Sequence, residues 1–229
     1  MKTTLVLLPG LDGTGLLFQP LLAQLPPSSC PVVVSYPADP DVDYDRLTEL
    51  AAQALPPQGR VVVLGESFSG PVAMRLAAAQ PQRVQALVLC CSFVRNPRPA
   101  LARLDALLDW LPARAPLKLA AAALLGNHPT EEVRGLLAQA LARLPSNVMR
   151  ARLRMVMRVD ASLAVSAVEA PVLYLQAAQD RLVPAAAARD IQRLQPRTVV
   201  RSLRGPHGLL QVQPEASASA MTAFLAGLC

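Results

Sequence analysis

Arg60-Val-Val-Val-Leu-Gly-Glu-Ser-Phe-Ser-Gly-Pro71 runs from a β-branched apolar block into a cluster of small residues, and Val72-Ala-Met-Arg-Leu-Ala-Ala-Ala79 follows it. Val61, Val62, Val63 and Leu64 are enough for a buried strand and too few for a helix. Pro71 suits the first turn of a helix, where its missing N–H is no loss. Between the two, Ser67 sits on a sharp strand-to-helix turn, the pattern that holds a serine nucleophile exposed at a sheet edge. A turn that tight leaves no room for bulk beside the serine. The usual spacing is Gly-x-Ser-x-Gly; here Ser69 takes the fifth position and the glycine follows at Gly70. Serine is small enough for that place. The plain alternative is an ordinary Gly/Ser-rich turn, so the rest of the chain has to supply partners for Ser67.

Outward from this stretch, strand-like apolar runs recur at residues 4–8, 32–36, 84–91, 172–176 and 198–203, besides 61–64. Helical patterns lie between and after them, near 16–25, 43–54, 71–80, 184–194 and 215–228. Several runs are apolar nearly throughout, which suits strands covered on both faces. Regular alternation predicts an α/β fold: a three-layer, mostly parallel sheet with right-handed crossovers. One interval breaks the rhythm. From about 96 to 167 there is no strand pattern, only helical ones at 101–111, 117–125, 131–144 and 148–159, punctuated by prolines. We read 95–167 as a small helical insertion leaving the carboxyl end of the fourth strand, with 1–94 and 168–229 as the core.

Composition narrows the function classes. With 229 residues and 52% hydrophobic content, the chain can bury a sizeable core and is not disordered. No apolar run approaches the roughly 20 residues of a membrane helix, so no integral membrane segment is expected. The apolar patch at the start is broken by Pro9-Gly10 and lacks a cleavage site, which makes it a first strand rather than a signal peptide. Cys30, Cys90, Cys91 and Cys229 fall in no metal or redox spacing; reduced thiols in a cytoplasmic protein are the simplest account, with no metal and no cofactor expected. The net charge of +6 is mainly arginine, scattered at helical intervals beside alanine and leucine, and reads as solvated helix faces. Aromatics are only 3% and there is no recognition motif or basic cluster, so no nucleic-acid partner is expected. Nothing in the chain sets an oligomeric state.

A serine hydroxyl attacks only when a base takes its proton, and the base needs an orienting acid. Of two histidines, His207 lies in Arg204-Gly-Pro-His-Gly-Leu-Leu-Gln211, a loop directly after the last strand, on the sheet edge where sites of open α/β sheets gather. His128, in Gly126-Asn-His-Pro-Thr130, reads as a solvated turn or helix start. Asp180 follows the fifth strand and precedes a helix opened by Pro184. Its modest role would be a turn or cap hydrogen bond, but the order Ser67, Asp180, His207 matches that of such sites. Asp190, inside the next helix, is a poorer choice. An oxyanion hole would take the N–H of Phe68 and one from Pro9-Gly-Leu-Asp-Gly-Thr-Gly15, for which we favour Leu11. A phosphate-binding loop is the competing reading, but Gly10-x-x-Gly13-x-Gly15 lacks the Gly-x-Gly-x-x-Gly spacing.

Four segments, Leu7-Leu-Pro-Gly-Leu-Asp-Gly-Thr-Gly15, Gly65-Glu-Ser-Phe-Ser-Gly70, Asp180-Arg-Leu-Val-Pro184 and Gly205-Pro-His-Gly208, occur in that order. Together they resemble the α/β-hydrolase superfamily over nearly the whole chain. The resemblance implies Ser67 as nucleophile, Asp180 as acid, His207 as base, Leu11 and Phe68 as oxyanion donors, and a cap domain formed by the interval after Val94. Pro9-Gly10 stands where many members have His-Gly, and the hairpin many carry ahead of the first strand is not expected here. Fold alone does not fix a substrate. A leucine- and alanine-rich cap argues for an apolar acyl or alkyl group, and so for a small-molecule ester or thioester cleaved by hydrolysis. Acyl transfer to an alcohol is an alternative, since Gly10-Leu-Asp-Gly-Thr-Gly15 and Gly65-Glu-Ser-Phe68 also resemble plant phytyl ester synthases. A ligand receptor on the same scaffold and a cofactor-free oxidase or perhydrolase are others. Glu66 is expected to make a polar contact under the sheet edge, with no chemical role.

Overall fold

Six parallel strands form one sheet in the computed structural model, which describes residues 3–100, 117–126 and 129–228. In chain order the first half runs β1 (Thr3–Leu8), a 3₁₀ turn (Leu16–Phe18), α1 (Gln19–Leu22), β2 (Ser29–Val33), α2 (Tyr44–Gln53) and β3 (Val61–Glu66). A second 3₁₀ turn (Ser67–Ser69), α3 (Gly70–Ala79) and β4 (Val84–Cys90) follow. Among the described residues four helices come next, α4 (Leu117–Leu125), α5 (Glu131–Ala142), α6 (Ser146–Arg158) and α7 (Ser162–Ser166). The chain then returns through β5 (Val172–Ala177), α8 (Ala186–Leu194), β6 (Val199–Leu203), α9 (Leu209–Val212) and α10 (Pro214–Ala226).

The strand order is β2-β1-β3-β4-β5-β6, with every neighbouring pair parallel. The chain winds one way from β1 to β2 and the other way from β3 onward. The loops after β1 and β3 therefore open across the crevice where the winding reverses, the place where ligands bind in open α/β sheets.

Alternate residues of β3 feed the two sides of the core. Val61 and Val63 pack with α2, α3, α7 and α8 on one face; Val62 and Leu64 pack with α1, α9 and α10 on the other. All four are fully buried, and each such side chain contributes about 1.5–3 kcal/mol by leaving water. The three layers expected from the sequence are these.

The interval between β4 and β5 is closed at its base. Ala161 N–H donates to the Val94 carbonyl at 2.8 Å, Asn96 Nδ2 to the Met157 carbonyl at 3.2 Å, and Arg95 pairs antiparallel with Asp160. Helices α4 and α5 share a small apolar cluster of their own, including Leu125, Val133 and Leu137, which rests on Leu17. The helix expected over 101–111, together with His128 and Cys229, lies outside the described residues.

The sequence pattern does not predict the short helices α7 and α9, and two expected elements differ in the structure. The second strand runs from Ser29 to Val33 rather than over 32–36. As an edge strand it tolerates Pro31. Beyond Val33 the chain turns inward, so that Tyr36 N–H bonds the Gly13 carbonyl at 2.8 Å. The helix expected over 16–25 splits because Pro20 has no N–H to give Leu16; Gln19 bonds that carbonyl instead, in 3₁₀ geometry.

Candidate active site

Ser67 stands at the top of β3 with φ of 48°, in the left-handed region that a side chain enters only under constraint. The constraint is local packing. A Cβ on Gly65 would lie 2.7 Å from Ala73 Cβ and 2.8 Å from the Ser69 carbonyl, and one on Gly70 would run into the Ser92 side chain. Ser92 Oγ donates to the Ser67 carbonyl at 2.6 Å, and the Ser92 carbonyl accepts from Tyr174 Oη at 2.7 Å. The second glycine of the turn is thus needed at 70, because Ser92 fills the space beside it.

Ser69 does more than fit. Its hydroxyl, fully buried, donates to the Pro9 carbonyl and lies 2.6 Å from Tyr36 Oη. Burial pushes the Tyr36 phenol well above its usual pKa, so it stays protonated and donates to Ser69. This relay ties the loop after β1 to the turn carrying Ser67. Sequence reading missed it.

His207 Nε2 lies 2.8 Å from Ser67 Oγ, and His207 Nδ1 lies 2.8 Å from Asp180 Oδ2. The histidine and aspartate side chains are only 6% and 5% exposed, which shields their pairing from water. Asp180 is held on both oxygens: Oδ2 meets the imidazole while Oδ1 accepts from the N–H groups of Leu182 and Val183, each at 2.8 Å. Backbone bonds stitch its loop to the histidine loop, Ala178 N–H to Leu203 and Gln179 N–H to Gly205. Gly208 N–H in turn donates to Leu124 of α4 at 2.6 Å. With the imidazole proton on Nδ1 facing Asp180, Nε2 is free to accept from Ser67, and a hydroxyl so held can form a bond to an acyl carbon as its proton leaves. Asp190 sits in α8, paired with Arg193 and away from this group.

Leu11 and Phe68 border the same space as Ser67 and His207. The Gly10 carbonyl accepts from Gly13 N–H at 3.0 Å, which fixes the peptide plane carrying the Leu11 N–H. Phe68 lies in the first turn after β3, where N–H groups have no partner within the helix.

Glu66 makes a polar contact of the kind expected. It is buried, Oε1 accepts from Gln211 Nε2 at 2.9 Å, and Gln211 also reaches the Leu17 carbonyl. Burial raises the Glu66 pKa to about 7, with Asp12 adding to the rise, while the Gln211 bond and His207 oppose it. Cys91, also in the left-handed region, places its sulfur within 4.8 Å of ligand atoms of Asp180 and His207. Among the described residues Cys30, Cys90 and Cys91 are free thiols.

Ser67 and His207 open into a cavity of about 360 Å³. Its described walls are mainly apolar, with Leu17 and Phe93 from the core and Leu125, Leu137, Met149 and Leu153 from the interval helices. One sequence reading fails here. The sequence pattern puts the arginines on solvated faces, but Arg152 of α6 is 4% exposed. Its spacing from Val148 and Val156 places it on the apolar stripe of that helix, a signal that was there to be read.

Comparison with known proteins agrees with this architecture. A model described as the alpha/beta hydrolase family matches residues 5–220. A pimeloyl-[acyl-carrier protein] methyl ester esterase of Nitrosomonas europaea is 33% identical over 168 residues, which are 67% of this chain and 65% of that protein's length. Among solved structures, a membrane phospholipase A described as a bacterial virulence factor superposes with a TM-score of 0.81 at 21% identity, over 99% of this chain and 79% of its own. The enol-lactonase of Burkholderia xenovorans gives 0.76 at 17% identity, over 99% and 92%. At these identities the structural likenesses speak for the fold. No helix among the described residues is long and apolar enough to cross a membrane.

Proposed function

The chain belongs to the alpha/beta hydrolase family, and we propose that it is a serine hydrolase that cleaves a carboxylic ester or thioester carrying an apolar acyl or alkyl group. The observation that carries this reading is the run from Ser67 Oγ to His207 to Asp180, two contacts of 2.8 Å, at the mouth of an apolar cavity. The ester-hydrolase name of the Nitrosomonas europaea relative supports the reaction class.

In this mechanism Ser67 Oγ attacks the acyl carbon while His207 Nε2 takes its proton. Asp180 holds the imidazole and offsets its charge. Negative charge collects on the former carbonyl oxygen, where the N–H groups of Leu11 and Phe68 receive it. Collapse of the tetrahedral species breaks the bond to the alcohol or thiol, and His207 returns the proton to that leaving group. Water, deprotonated by His207, then attacks the acyl-enzyme; the acid leaves and Ser67 regains its proton. Residues 95–167 act as the cap and 1–94 with 168–229 as the core. Free thiols suit a reducing compartment, and we place the protein in the cytoplasm.

A panel of p-nitrophenyl esters graded in chain length, with an acyl-carrier thioester beside it, tests the reading. Turnover should favour apolar chains and vanish in Ser67→Ala and His207→Ala, with losses up to about a millionfold in kcat. Losses under tenfold in both variants would remove the claim.

A further inference from the structure

We propose that Arg152 is a positioning residue for the oxyanion hole, through which the helical interval braces the loop after β1; this rests on the serine-hydrolase reading above. Arg152 belongs to α6, yet its guanidinium reaches down to the core. Nη1 donates to the Leu11 carbonyl at 2.8 Å and Nη2 to the Pro37 carbonyl at 2.9 Å. Pro37 follows Tyr36, whose N–H bonds the Gly13 carbonyl at 2.8 Å. One arm of the fork therefore grips the turn directly, and the other grips the segment lying against it. The guanidinium carbon also sits 5.8 Å from the Tyr36 ring centroid and 5.9 Å from that of Phe68. A single cation thus touches both residues offered as oxyanion donors, Leu11 through its carbonyl and Phe68 through its ring.

The physical consequence lies in how the Leu11 N–H is held. The peptide plane before Leu11 is fixed by the Gly10–Gly13 bond, and the plane after it by Arg152. With both planes pinned, the N–H cannot rock as charge develops, and a donor that need not reorient stabilises that charge best. Gly13 completes the fit. Its φ of 72° is left-handed, and a Cβ there would run into the Arg152 guanidinium. Burial lowers the pKa of Arg152 while Asp12 and Tyr36 raise it, and a guanidinium keeps its charge in either case. Lysine cannot replace the fork, because one ammonium does not span two carbonyls in a fixed plane.

The test compares Arg152→Lys, Arg152→Gln and Arg152→Ala with wild type and Ser67→Ala on one p-nitrophenyl ester. Removing a whole oxyanion donor costs about 10²–10³ in kcat, so loosening one should cost about 10–100-fold, with KM changed less than about threefold. An alkyl trifluoromethyl ketone, which forms a hemiketal oxyanion on the serine, should lose affinity in step with kcat/KM. Added guanidinium should restore part of the activity of Arg152→Ala and none to wild type. Arg152→Lys guards against misfolding of the smaller variants and should fall between wild type and Arg152→Gln. Unchanged kcat in folded variants, or a kcat loss with no matching loss of ketone affinity, overturns the proposal. Activity surviving in Ser67→Ala overturns the serine reading instead.

Discussion

Ser69→Ala removes the middle member of a buried relay in which Tyr36 Oη donates to Ser69 and Ser69 donates to the Pro9 carbonyl. Two groups are then stranded away from water, the phenol and the carbonyl. Each costs about 1–3 kcal/mol when left without a partner, so the variant should lose about 3 kcal/mol of stability. Tyr36→Phe is milder: Ser69 still donates to Pro9, and only one acceptor site is left empty, for a loss of about 1 kcal/mol. The double variant has no phenol to strand, so its loss is that of the Pro9 carbonyl alone, about 1–3 kcal/mol. The cycle should therefore close with the double variant at least about 1 kcal/mol more stable than the sum of the singles predicts. Urea denaturation measures this, with the slope unchanged and the midpoint moving. Losses that simply add would mean the hydroxyls do not act as a relay, and the account of how the loop after β1 is held would fail.

Other outcomes follow from the same geometry. Asp180→Asn should lower kcat by about ten-thousandfold through a mis-set imidazole, while an amide oxygen keeps the bonds from Leu182 and Val183, so the thermal midpoint should barely move; full activity would assign the orienting role to another acid. Glu66, raised from 4.5 to about 7, favours the folded state while protonated, and that contribution, about 3 kcal/mol, is lost as pH climbs from 4.5 through 7. Glu66→Gln should therefore gain on wild type across that window and run parallel above it; parallel curves throughout would refute the burial argument. Gly208→Ala would bring a Cβ to 2.9 Å from both the Leu124 carbonyl and Leu125 Cδ2, and should lower the thermal midpoint together with kcat, since the same loop carries His207.

The elements with strong local signatures were legible. The Val61–Leu64 block, the small residues around Ser67 and the strand-end positions of Asp180 and His207 each follow from nearby sequence. What was not legible depends on distant partners. Nothing near Ser69 announces that its hydroxyl reaches Pro9, or that Ser92 forces glycine at 70. The second strand differs because the apolar run 32–36 does not show that the chain leaves the sheet after Val33 to bond Gly13. Arg152 was hidden among Arg150, Arg154 and Arg158, and a stripe of arginines on one helix reads as a wet face. Its place on the Val148–Val156 side marks it out, but the carbonyls it binds belong to residues more than a hundred positions earlier.

The central claim is that Ser67 carries the acyl group, and labelling with a fluorophosphonate tests it most directly. One equivalent should attach, peptide mapping should find it on Ser67, and esterase activity should disappear in proportion to the label. Activity that persists once Ser67 is fully labelled, or that disappears while Ser67 stays unmodified, would contradict it.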